Sequence, residues 1–278
     1  MAALGVNSAF ALSCATSVPY TRLDTRGVSE TREVSIEMGP LNGHCCIRIG
    51  KTIAKVCVSG EIVSPAPDRP NEGRFFFNVE MGSLANPHIH ENGRPSAHNI
   101  SLNNYVERVL RGSKAIDVES LCILAGKSAW SIKVDVHVLC DDGGLFDACS
   151  LGALCGILNF RHEVVSIQGG AAVQLSAARR DPVPLSLYHI PISTSFAVLE
   201  SEQGPLWFAD PCFIEEEISG VSILSLAVNK HGELCCIHKP GGVPVDTQIL
   251  SECMEIAISR ARLISEQVTR ELKLNGIP

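Results

Sequence analysis

None of the 12 cysteines sits in a C-x-x-C motif, and no Cys/His pair has the spacing of a zinc site. Several fall in apolar runs (Cys57, Cys122, Cys140, Cys149, Cys155, Cys253), and two pairs are adjacent, Cys45-Cys46 and Cys235-Cys236. Free cysteine packs as a small hydrophobe, which points to structural cysteines in a reduced nuclear or cytosolic protein. A basic surplus is also missing: 23 Lys and Arg stand against 30 Asp and Glu, a formal charge of −7. Such a chain binds nucleic acid poorly by itself, so any RNA role needs a focused basic patch or partners. No apolar run reaches the roughly 18 residues of a membrane helix. A secretory signal is not expected either, because the first basic residue is Arg22 and Asn7-Ser8 interrupt the apolar residues before it. Residues 1–21 read as an N-terminal tail.

What is present is strand grammar, a helix, and the same again. Cys45, Ile47 and Ile49 alternate with His44, Cys46 and Arg48, and Gly50-Lys51 turns into a second strand over 53–58. Residues 64–73 hold three prolines and form a loop. Residues 74–81 make another strand. A helix is expected over about 100–110, with Leu102, Tyr105, Val106, Val109 and Leu110 as its apolar stripe. Trp130, Ile132, Val134, Val136 and Val138 face one way on a strand, and Ser131, Lys133, Asp135 and His137 the other. Asp141-Asp142-Gly143-Gly144 is a tight turn, incomplete as a calcium loop. A buried, small-residue helix follows over 145–160.

Asp181-Pro-Val-Pro is a half-way connection. Strands are then expected over 190–199, 205–210, 221–229 and 233–238, and a closing helix over about 246–273. Its apolar stripe is Ile249, Cys253, Ile256, Ala257, Ile264, Val268 and Leu272, with Glu252, Arg260, Glu266, Arg270 and Glu271 outside. The expected class is α+β, one domain over 22–278 of two related β-sheet/helix halves, about 22–180 and 181–278.

Five segments in order carry a resemblance: Ser113-Lys-x-Ile-Asp-x-Glu-Ser-Leu-Cys-Ile, Trp130-x-Ile-x-Val-Asp-x-His, Asp147-Ala-x-Ser, Asp181-Pro-Val-Pro-Leu-Ser and Asn229-Lys-His-Gly-Glu. From about Arg22 to Lys273 the chain resembles the RNase PH-like subunits of the RNA exosome ring. The resemblance implies a pseudo-twofold α+β fold in a hetero-hexameric ring of paralogues. Its implied partners are RNA-binding cap subunits, an associated nuclease and single-stranded RNA. It implies no cofactor or metal, and residence in the nucleus and nucleolus as well as the cytoplasm.

Phosphorolysis needs donors that hold a phosphate dianion beside the scissile bond, and an acid or metal for the leaving oxygen. Catalytic relatives carry a Thr-Arg pair at the start of the helix after the glycine turn. Counted from Asp147-Ala148-Cys149, the matching positions are Ser150 and Leu151. Leu151 cannot replace a bidentate guanidinium, whereas Ser150 and the helix N-terminus keep a weak capacity for an anion. Asp210 and Glu216 stand at the family's carboxylate positions, and Ile223 replaces a third. The plainer reading of Asp210 and Glu215–Glu217 is a strand-end acid followed by a solvated acidic turn. His98 stands near an earlier arginine of active relatives.

The expected role is therefore a non-catalytic ring subunit. Arg108, Arg111 and Lys114 are its RNA-binding candidates, at i, i+3 and i+6 along one side of the helix end, with Arg74 and Arg94 as weaker ones. The plain alternative for these basics is a solvated helix C-terminus that suits the dipole. Two other functions stay open, a phosphate-dependent 3′-to-5′ exoribonuclease using Asp210 and a scaffold that never meets RNA.

Overall fold

The computed structural model describes residues 22, 24–82, 85, 96–168, 171–174, 181–201, 204–218 and 220–275. The tail over 1–21 and Arg94 lie outside them.

The first half is a sheet of β1 (Val34–Met38), β2 (His44–Ile49), β3 (Thr52–Val63), β4 (Arg74–Met81), β5 (Cys122–Leu124) and β6 (Ser128–Cys140). Its order is β1-β2-β3-β6-β4, with β5 beside β6, and only the β4–β6 pair is parallel. Alternation decides which face is buried. Trp130, Ile132, Val134, Val136 and Val138 of β6 all point inward, as do Phe75, Phe77, Val79 and Met81 of β4. Lys133 and His137 point out.

Helix α1 (Ala97–Glu107) begins three residues before its expected start, because the Ser96 hydroxyl accepts the Asn99 N–H and caps it. Its end widens into a π-helical turn over Arg108–Gly112, and Lys114 then adopts a left-handed backbone at φ +57°. Together these break the straight i, i+3, i+6 line expected of Arg108, Arg111 and Lys114.

Helix α2 (Leu145–Asn159) is buried on nearly every side. It lies between β2 and β3 of the first sheet and β11 (Ile192–Ser201) of the second. Small residues allow this closeness: a Cβ on Gly156 would sit 2.9 Å from Val56 Cγ1 and 3.0 Å from Val58 Cγ2. Short pairs follow, β7 (Arg161–His162) with β10 (Val183–Pro184) and β8 (Val165–Gln168) with β9 (Ala171–Gln174).

The second half is an antiparallel sheet, β12-β11-β13-β14, built from β11 (Ile192–Ser201), β12 (Gly204–Ala209), β13 (Ser222–Val228) and β14 (Leu234–His238). The short helix α3 (Phe213–Glu216) follows β12, and the long helix α4 (Thr247–Leu274) packs on β11, β13 and β1. One continuous apolar core joins both sheets, α2 and α4. The expected stripe of α4 faces it, with one correction. Arg260, assigned to the outside, is 5% exposed and points inward.

Candidate functional site

The positions that would carry phosphorolysis converge where β12 ends beside the start of α2. Asp210 is fully buried at the end of β12, in a left-handed backbone at φ +50°. Its carboxylate accepts from Arg32 Nη2 (2.7 Å), Arg32 Nε (3.0 Å), the Arg32 backbone N–H (2.6 Å) and Arg26 Nη1 (3.2 Å). Burial alone would raise its pKa. The Arg32 hydrogen bonds and the nearby Arg260 charge outweigh that and hold it at about 2. Arg32 also donates to the carbonyls of Asp142 (2.7 Å) and Gly143 (3.1 Å), tying Asp210 to the turn before α2.

Glu215 is equally committed. Arg22 grips it with Nε at 2.9 Å and Nη2 at 2.7 Å, and donates to the carbonyls of Ala209 and Asp210 as well. Glu216 accepts the Gly144 N–H at 2.8 Å, so a carboxyl of the chain itself occupies the N-terminus of α2. Burial pushes its pKa up to about 8 against that N–H. The expectation of a solvated acidic turn therefore fails for Asp210, Glu215 and Glu216. Desolvated carboxylates demand partners, and three arginines from the segment before β1 supply them for the first two.

The glycine turn fixes where the helix begins. Gly143 and Gly144 have φ of +81° and +67°, Gly144 is the N-cap, and Leu145 is the first helical residue. The pair at the helix start is thus Leu145–Phe146, with no donor on either side chain. Ser150 and Leu151 lie in its second turn. The Ser150 hydroxyl is buried and donates to Phe146 O (2.7 Å) and Asp147 O (3.1 Å), so the weak anion capacity expected of it is absent. Leu151 is buried in the core. Asp147 points the other way and accepts from Ser195 N–H (2.9 Å), Ser195 Oγ (2.7 Å) and Arg260 Nη1 (3.0 Å).

Phe146 packs with three other rings: Tyr105 at 5.0 Å, His238 at 5.2 Å and His98 at 6.2 Å between centroids. His98 is thus an aromatic neighbour in the first turn of α1. Arg108 is exposed at this edge and makes no side-chain ion pair or hydrogen bond among the described residues. With burial, its charge lowers the pKa of His238. Arg111 is paired with Glu107 at 2.9 Å. Arg111 and Lys114 line a separate groove together with Arg74. Among the described residues no group of three His, Cys, Asp or Glu side chains is arranged for a metal, and no helix is long and apolar enough to cross a membrane.

Sequence reasoning missed Arg22, Arg26, Arg32 and Arg260. For Arg260 the signal was present, since it lies three residues after Ala257 and four before Ile264 on the buried stripe. For the other three no periodicity exists.

Family models for domains 1 and 2 of the 3′ exoribonuclease family, RNase PH type, match residues 30–163 and 189–260. The chain belongs to that family, and its α+β architecture is the one the resemblance implied. It is 40% identical over 252 residues to the Danio rerio "Exosome complex component RRP45", covering 91% of this chain and 63% of that one. To the Arabidopsis thaliana "Exosome complex component RRP45A" it is 33% identical, covering 86% and 78%. An Archaeoglobus fulgidus exosome solved with RNA bound to the active site contains a similar chain, with TM-score 0.81, 27% identity and coverage of 96% and 99%. The chain thus spans under two thirds of the length of the Danio rerio relative.

Proposed function

We propose that the chain is a non-catalytic ring subunit of an RNA exosome, which scaffolds the hexameric core and helps bind and thread RNA for 3′-to-5′ processing and decay. It corresponds to the subunit known as exosome component nine, the polymyositis/scleroderma autoantigen. Its partners are RNase PH-like paralogues, cap subunits, an associated nuclease and single-stranded RNA, in the nucleus, the nucleolus and the cytoplasm. The kinship with exosome components supports the assembly.

One observation carries the inactive reading: Asp210 is fully buried with Arg32 and Arg26 on its carboxylate, beside a helix start of Leu145 and Phe146. A carboxylate held at about pKa 2 by its Arg32 hydrogen bonds and the nearby Arg260 charge cannot donate a proton to a leaving oxygen at neutral pH. Nor, among the described residues, is an unpaired cation left at the helix start for an attacking phosphate. For RNA contact, Arg108 is the best placed of the three basics, because it is exposed, no carboxylate among the described residues answers it, and its charge reaches the His238 ring. Arg111 and Lys114 stand with it as candidates but open onto the charged groove.

The test is phosphate-dependent degradation of single-stranded RNA by the chain reconstituted with its ring paralogues. The expected result is no degradation attributable to this subunit. Phosphate-dependent degradation that disappears in a folded Asp210→Asn variant would mean an active site is present.

A further inference from the structure

A groove of about 760 Å³ lies between the start of β4, the loop over 66–73 and the segment over 111–119. Four cations line it, Arg69, Arg74, Arg111 and Lys114, together with four carboxylates, Asp68, Glu72, Asp117 and Glu119. The lining is formally neutral. A polyanion laid along it meets one carboxylate for every cation, which weakens the counterion release that drives nucleic-acid binding. Mixed charge of this kind suits a protein partner, for which complementary charges set register and specificity.

The charges are not equally free. Arg69 is turned to Glu72 at 3.1 Å and Arg111 to Glu107 at 2.9 Å. Asp117 accepts the backbone N–H groups of Glu119 (3.1 Å) and Ser120 (3.2 Å). Arg74 and Lys114 have no side-chain partner among the described residues. Two large aromatics also stand open on the groove, Phe76 at 50% exposure and Tyr188 at 70%. Unanswered cations beside open aromatic faces make the kind of anchor on which protein interfaces depend.

We infer that this groove holds an extended segment of a neighbouring protein, with an acidic side chain against Arg74 and Lys114 and an apolar side chain on Phe76 and Tyr188. The inference rests on the ring reading in one respect: the neighbour belongs to the same assembly.

The experiment places the photo-crosslinker p-benzoylphenylalanine at Phe76, and separately at Tyr188, in the full chain assembled with the other exosome subunits. An oligouridylate is present as a competing probe. Expected are protein adducts at both positions, with Asp or Glu beside an apolar residue in the captured segment. The adduct yield falls at least five-fold in Arg74→Glu and Lys114→Glu. Lys114→Gly, which accepts the left-handed backbone, gives the same loss where charge reversal disturbs folding. Adducts to the oligouridylate instead, or no adduct at either position, overturn the inference. Light scattering reads assembly separately. A chain that does not assemble rejects the ring reading and this partner with it, whereas an assembled complex with a silent groove rejects the inference alone.

Discussion

Arg32 closes on Asp210 through Nη2, Nε and its own backbone N–H, at 2.7, 3.0 and 2.6 Å. This ties the segment before β1 to the end of β12, across 178 residues of sequence. The same guanidinium holds the turn that starts α2, so one side chain joins both sheets at the site. The arrangement stabilises the fold by using up the group that would otherwise be chemically interesting.

Arg32→Met should therefore cost stability. Removing one partner of a buried ion pair leaves the other charge uncompensated, at about 3–5 kcal/mol. Urea unfolding followed by circular dichroism is the measurement. A loss below about 1 kcal/mol would mean Arg26 alone satisfies Asp210.

The same pair fixes an acid limit. The folded pKa of Asp210, about 2, is depressed below the unfolded value of about 3.9. Its contribution is then fully present above about pH 4 and lost as pH falls through about 2, on the order of 2–3 kcal/mol in all. In Arg32→Met the depression disappears, and acid unfolding should begin at higher pH. An unchanged acid midpoint would place the sensitive carboxylate elsewhere.

Glu216 works in the opposite sense. Its folded pKa, pushed up to about 8, lies above the unfolded value of about 4.3. The protonated form is favoured on folding, so the contribution is full below about pH 4 and lost as pH rises through about 8. Glu216→Gln keeps an oxygen acceptor for the Gly144 N–H and removes the titration. It should flatten the fall in melting temperature between about pH 5 and 8, and a variant that follows the wild-type profile would reject the assignment.

Much of the scaffold was legible from period alone. The strand over 74–81 has the bounds expected, and the five β6 residues that alternation selected are all buried, whereas Ser131, expected on the outward face, is buried as well. Burial imposes that alternation directly, so it survives in the sequence. The site was less legible because its determinants are long-range pairs. Nothing local in Thr21-Arg-Leu-Asp-Thr-Arg-Gly announces that Arg22 will reach Glu215, 193 residues away. Arg260 was misplaced for another reason. A charged residue on an apolar stripe was assigned to solvent, although the buried Asp147 opposite it supplies a partner. The helix-start pair was displaced to Ser150–Leu151 by counting from Asp147, whereas the left-handed Gly144 sets the start at Leu145.

Close approach of α2 to β3 gives a packing prediction. Gly156→Ala puts a methyl group 2.9 Å from Val56 Cγ1, and overpacking of this kind costs about 1–3 kcal/mol. Val56→Ala alone opens a cavity and destabilises too. The double variant should lose less than the sum, because each change relieves the other. Strict additivity would show that the two side chains do not meet.

In the assembled ring, RNA affinity should fall with salt, each phosphate contact contributing about −0.7 to the slope of log K against log salt for single strands. Arg108→Gln removes an exposed cation whose charge reaches His238, and should flatten that slope by about one contact while leaving ring assembly intact. Arg111→Gln should change it less, because Glu107 already holds that guanidinium at 2.9 Å. Equal effects of the two variants would place both side chains on the RNA path. An unchanged slope in both would leave a subunit that shapes the ring without touching its substrate.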